Sequence, residues 1–153
     1  MYPIVLSLHS IVRWAVVILG VIAVVRAFIG WFGGRQWQQL DDRLGLGFTT
    51  ALDINLLLGL LLYFFLSPIT TGAFKDFGAA MGNSSVRFFA VEHIFIMIVA
   101  VVLAHIGRSR SRKAADDKGK FKRAAIFFGL AMLAVIAAIP WPFMSQWASR
   151  GWL

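Results

Sequence analysis

The sequence predicts an all-α membrane protein with four transmembrane helices in an up-down-up-down bundle. Three observations carry this. Of 153 residues, 59% are hydrophobic and only 14% charged, with a mean hydropathy of +0.78, whereas soluble domains run at about 45–50% apolar and about 25% charged. The apolar residues gather into four long runs joined by short polar segments. Basic and aromatic residues are distributed about those runs as a bilayer requires.

Crossing a hydrocarbon core of about 30 Å takes about 20 helical residues. Ile4 to Ile29, Leu44 to Leu66 and Val86 to Ile106 meet that length; Ala124 to Ile139 approaches it once the aromatic tail is counted at the interface. Helices are therefore expected at about 4–29, 44–66, 86–106 and 124–143 in a single domain. The first run lacks a basic leader and exceeds the apolar length of a signal peptide, so it is expected to remain in the mature protein. Between the second and third runs, Ser67 to Ser85 carries the turn formers Pro68, Gly72, Gly78, Gly82 and Asn83 around Phe74, Phe77 and Met81. This segment reads either as a lid on the bundle or as a connection at the interface.

Arg26, Arg35 and Arg43 lie between the first and second runs, and Arg108, Arg110, Arg112, Lys113, Lys118, Lys120, Lys122 and Arg123 between the third and fourth. The opposite side holds Lys75, Arg87 and Arg150. Positive charge in short loops stays cytoplasmic, which puts both termini outside. Trp31 and Trp37 mark the cytoplasmic boundary, and Tyr2, Tyr63, Trp141, Trp147 and Trp152 the outer one. The net charge of +8 accordingly reads as topology and attraction to anionic lipid, not as a nucleic-acid surface.

Several chemistries are excluded. Without cysteine there are no disulfides, iron–sulfur clusters, cysteine-bound zinc or covalent c-type haem. The chain also lacks a phosphate-binding glycine loop, an HExxH pair and a nucleophile elbow, and it has little soluble surface on which to hydrolyse a water-soluble substrate.

An ionisable residue inside a span is a functional-site candidate because its desolvation costs several kcal/mol unless it is paired or wetted. Six such groups occur: His9, Arg13, Asp53, Glu92, His93 and His105. At about 1.5 Å per residue, His9 and His93 should lie level, roughly 8–11 Å below the outer boundary. They belong to the first and third helices, which are diagonal in a four-helix bundle, with axes roughly 12–14 Å apart. Two imidazoles reaching inward across that gap leave room for one metalloporphyrin, as in bis-histidine b-type haem sites.

Arg13 shares a face with His9 one turn on, where it can meet Glu92, Asp53 or a haem propionate. Met97 follows His93 by one turn, Gly20 follows His9 by three, and Gly59 follows Asn55 by one, which offers a soft filler and two small residues beside a flat ligand. The same glycines and methionine also suit ordinary helix contacts. Asp53, near mid-membrane, suits either a structural pair with Arg13 or a neutral state in proton-coupled quinone chemistry, as does Glu92 nearer the outer face. His105 lies at the cytoplasmic end without a second histidine to share a ligand. It is expected to contact headgroups or the loop that begins at Gly107.

The strings Leu8-His9-Ser10, Arg13-Trp14, Val91-Glu92-His93 and Ile139-Pro140-Trp141-Pro142-Phe143 resemble those of small bacterial integral-membrane b-type cytochromes. The resemblance extends loosely over the whole chain. It implies axial ligation by His9 and His93, one non-covalent haem b, and electron transfer with quinol, an outward-facing redox protein or a larger respiratory complex. Two rivals remain open at this stage: an accessory subunit of a larger membrane complex, with its polar residues locking helices together, and a small proton- or ion-coupled carrier using Arg13, Asp53 and Glu92.

Overall fold

The computed structural model describes residues 1–153 and is all-helical. Four helical stretches are long and apolar enough to cross a membrane: Tyr2–Gly33, Gln39–Leu66, Ser84–Lys113 and Asp117–Ala138. They comprise α1 (Tyr2–Gly33), α2 (Gln39–Leu61) continued by a π-helical turn (Leu62–Leu66), α5 (Ser84–Arg87) joined through a π-helical turn (Phe88–Glu92) to α6 (His93–Lys113), and α7 (Asp117–Ala138). Between the second and third stretches, the turn formers delimit two short helices, α3 (Pro68–Lys75) and α4 (Phe77–Gly82). The main packed pairs are α6 with α7, α1 with α2, α1 with α7 and α2 with α6, so α1 and α6 face each other across the diagonal as expected.

Each end of a long helix has a local cause. Pro3 occupies the first turn of α1, where its missing N–H costs nothing. Gly34, in the left-handed region at φ 63°, ends the helix, a conformation that a Cβ would penalise. At the start of α2, Asp41 Oδ2 accepts from the Gln38 backbone N–H at 2.9 Å while its Oδ1 accepts from Arg26 Nε at 2.9 Å. One buried carboxylate thus caps α2 and ties it to α1. Asp116 caps α7 by accepting from the Gly119 N–H at 2.8 Å.

The fourth helix stops at Ala138, short of the expected Phe143. The cause is proline at 140: Ile139 before it is extended (φ −78°, ψ 126°), as the residue preceding a proline prefers. The first and third stretches run past both expected ends, and the second and fourth begin early, because polar residues flanking an apolar run continue the helix into the interface.

The core is built from small residues with aromatic plugs. Ala23, Ala27, Ala100, Ala104, Ala125 and Ala131 are buried around Phe48, Phe128 and Met132. Small side chains let helices approach closely, the main source of helix association where lipid removes the hydrophobic drive. Gly20 belongs to this packing: a Cβ there would overlap Met132 and Phe48. It lies outside the cavity described below, so its role is helix contact and not ligand admission.

Candidate functional site

At the end of the bundle that carries both histidines, a cavity of about 320 Å³ opens among α1, α2, α6 and the segment that follows α7. Its size is within the ~300–1,000 Å³ of typical ligand pockets. His9, Arg13, Gly59, His93 and Met97 all line it. The structure therefore brings together five of the eight residues singled out from the sequence.

The imidazoles of His9 and His93 face each other with ring centres 6.4 Å apart and planes at 69°. An imidazole nitrogen bonds a metal at about 2.0–2.1 Å and lies about 1.1 Å from its own ring centre, so two rings on opposite sides of one metal ion have centres about 6.3 Å apart. The observed spacing fits that arrangement.

Both rings are held through the nitrogen that a ligand would not use. His9 Nδ1 donates to the Asn55 carbonyl at 3.1 Å, and His93 Nδ1 donates to the Ala138 carbonyl at 2.8 Å. A carbonyl only accepts, so each Nδ1 carries the proton and each Nε2 keeps its lone pair. This is the outer-shell pattern that fixes tautomer and orientation in metal-ligating histidines.

The local sequence explains both bonds. A continued α7 would satisfy the Ala138 carbonyl from residue 142 and the Ile136 carbonyl from residue 140, but both positions are proline. The orphaned Ile136 carbonyl accepts from Trp141 Nε1 at 2.9 Å, and the orphaned Ala138 carbonyl accepts from His93. Proline spacing at the end of the fourth span thus supplies the acceptor that orients a histidine on the third. On the other side, Gly59 stands one turn after Asn55, and its missing Cβ lets the His9 ring reach the α2 backbone. A Cβ there would lie 3.1 Å from His9 Cε1.

The π-helical turn Phe88–Glu92 ends at His93, whose N–H bonds the Phe88 carbonyl. Tyr63, in the π-helical turn that continues α2, donates from its hydroxyl to the Ala90 carbonyl at 2.6 Å, linking the two turns beside the cavity. Such turns recur at functional sites because they re-aim the side chains that follow.

Three expected site residues lie elsewhere. Gly20 is in the core, as described. Glu92 pairs with Arg87 at 2.9 Å on the outside of the bundle. Asp53 accepts from His105 Nε2 at 2.8 Å, with the two side chains 46% and 47% exposed, so neither carboxylate answers Arg13. His105, expected to contact headgroups or the loop that begins at Gly107, pairs with Asp53 instead, because α2 and α6 pack side by side and present both residues on their outer flank.

The segment after α7 also shapes the site. Trp147 is buried against Phe88 and Phe89, and Arg150 stacks over Phe89 at 4.2 Å. Arg13 and Trp14 both donate to the Trp152 carbonyl, the latter at 3.1 Å. Helical side chains lean toward the N-terminus of their helix, which brings the Arg13 guanidinium back toward this end of the bundle. Arg150 and Asn55 line the cavity but were not singled out from the sequence. The Asn55 side-chain oxygen is buried there without a hydrogen-bond partner, a deficit of about 1–3 kcal/mol that a ligand donor or a bound water would relieve. Burial lowers the affinity of the Arg150 guanidinium for its proton, yet arginine remains charged at neutral pH.

No group of three or more His, Asp or Glu side chains is placed to hold a bare metal ion. His9 and His93, each with Nδ1 engaged by a backbone carbonyl, are the two imidazoles, a metal-ligating side-chain type, that line the cavity. Comparison of the chain with protein-family models, characterised proteins and solved structures finds no match.

Proposed function

We propose that this chain is an integral-membrane b-type cytochrome that holds one haem b between His9 and His93. It exchanges single electrons with quinol in the bilayer or with a redox protein at the histidine end. The observation that carries this reading is the facing imidazole pair, 6.4 Å between centres, with both Nδ1 atoms committed to backbone carbonyls. When bound, the haem supplies a reversible one-electron iron couple. The protein's own residues orient two ligands, insulate them with Met97, Ile94 and Val135, and present two guanidinium groups in the same cavity. By the charge bias of the loops, the basic end faces the cytoplasm of a bacterial cell and the site lies near the outer face.

A reduced-minus-oxidised absorption spectrum of detergent-purified protein tests the proposal. The wild type is expected to give the bands of a six-coordinate low-spin haem, and His93→Ala to lose them while remaining in the membrane fraction. An unchanged spectrum in that variant refutes the assignment.

One observation favours a second reading, a subunit of a larger membrane complex. The Asp53–His105 pair sits on the outer flank of α2 and α6 with nearly half of each side chain exposed, and polar pairs within a span are costly against lipid unless covered. On this reading the purified protein is colourless. For a proton-coupled carrier the geometry offers less, since Asp53 and Glu92 do not line the cavity that Arg13 lines.

A further inference from the structure

We infer that Arg13 and Arg150 form a two-point clamp for a ligand bearing two carboxylates, and that the segment after α7 exists at the site to deliver the second guanidinium. The inference rests on the haem reading and assigns the two arginines to the two propionates.

The charge balance of the cavity carries the argument. Apart from the two histidines, Arg13 and Arg150 are its only ionisable lining residues of basic type, no Asp or Glu side chain lines it, and Leu153, which also lines it, brings no carboxylate within 4.0 Å of either guanidinium. Neither arginine has a carboxylate within 4.0 Å; the acidic side chains that do form ion pairs are Asp41, Glu92 and Asp53, with Arg26, Arg87 and His105. What holds the two guanidinium groups is neutral: a backbone carbonyl for Arg13 and an aromatic face for Arg150. Most of their five donors each are left for a ligand. Two half-buried cations in a mostly apolar cavity are unfavourable without counter-charge. A ligand with an apolar body and two anionic groups provides that charge, and arginine suits carboxylates because its donors match them in pairs.

The path of the chain supports the same assignment. Arg13 belongs to the first span, whereas Arg150 is carried to the cavity by the segment after α7, where Trp147 wedges against Phe88 and Phe89 and the Trp152 carbonyl accepts from Arg13 and Trp14. Trp14 of α1 also packs against Trp141 and Trp152, so the segment after Pro140 is held over α1 along its length.

The experiment titrates the full chain, purified without haem, with iron protoporphyrin IX and with its dimethyl ester, following the visible spectrum. The diacid is expected to bind at least 10-fold more tightly than the diester, and Arg150→Gln to weaken diacid binding by about 10-fold. Diester binding by Arg150→Gln should stay within about twofold of wild type, and Arg150→Lys should recover part of the diacid affinity. Equal weakening toward both ligands would overturn the clamp and leave Arg150 as an anchor of the segment. So would undiminished diacid binding by Arg150→Gln with a normal six-coordinate spectrum. If neither porphyrin gives that spectrum with the wild type, the haem reading itself falls and takes the clamp with it.

Discussion

Replacing Gly59 with alanine adds one methyl group, yet the structure gives it a defined consequence. The new Cβ would lie 3.1 Å from His9 Cε1 and 3.7 Å from Nδ1. Carbon atoms in comfortable contact stand about 3.5–4.0 Å apart, so the ring must retreat from α2 by about 0.4–0.9 Å. Asn55 lies one turn earlier on the same face of α2, so this retreat also lengthens the Nδ1 bond to its carbonyl, now 3.1 Å, past the useful limit. Losing that bond costs about 0.5–1.5 kcal/mol, and misdirected histidine ligands typically cost about 10–100-fold in metal affinity. Haem titration of Gly59→Ala should therefore show affinity reduced by about 10-fold. Gly47→Ala is the control. It lies on the same helix and gains the same helix propensity, but its Cβ would meet only Leu19 methyl groups at 3.7 and 3.9 Å. If Gly59→Ala binds haem as Gly47→Ala does, the His9–Asn55 bond does not orient a ligand and the site reasoning fails at that histidine.

Two further outcomes separate packing from the site. Gly30→Ala places a Cβ within the ring of Phe121, which is 2% exposed; overpacking of this kind costs about 1–3 kcal/mol. It should lower the thermal midpoint while leaving the haem spectrum intact, because Gly30 lies about 32 Å along α1 from His9, and a lost spectrum at unchanged stability would contradict this. Asp41→Ala removes both the cap of α2 and the tie to Arg26, a loss of about 1–2 kcal/mol. Thermal unfolding followed by circular dichroism should register it, and an unchanged midpoint would show that this carboxylate stabilises neither helix.

Hydropathy and spacing were enough to read the four spans, their antiparallel order and the diagonal placement of His9 and His93, because these depend on properties each residue carries with it: apolar area, helical rise and loop length. Arg13, Gly59 and Met97, which line the cavity with the two histidines, were legible for the same reason, lying on the histidine-bearing faces or at the matching depth. The site's second guanidinium was not, since Arg150 enters through a segment whose path is decided by where Trp147 and Trp152 find contacts. Nor were the partners of the carboxylates. Depth alone offered Arg13 to both Asp53 and Glu92, but rotation about the helix axis turns those two outward, toward His105 and Arg87.

The proline pair at 140 and 142 shows where the division falls. That the fourth helix must break there is a local fact, dictated by a missing N–H and a steric clash before each ring. Which donor then takes the freed Ala138 carbonyl is not local at all: it is His93, 45 residues away, brought there by the packing of α6 on α7. Sequence determines which backbone groups are left wanting; only the assembled bundle decides what satisfies them, because hydrogen bonds are short and the chain positions that share a neighbourhood are set by packing.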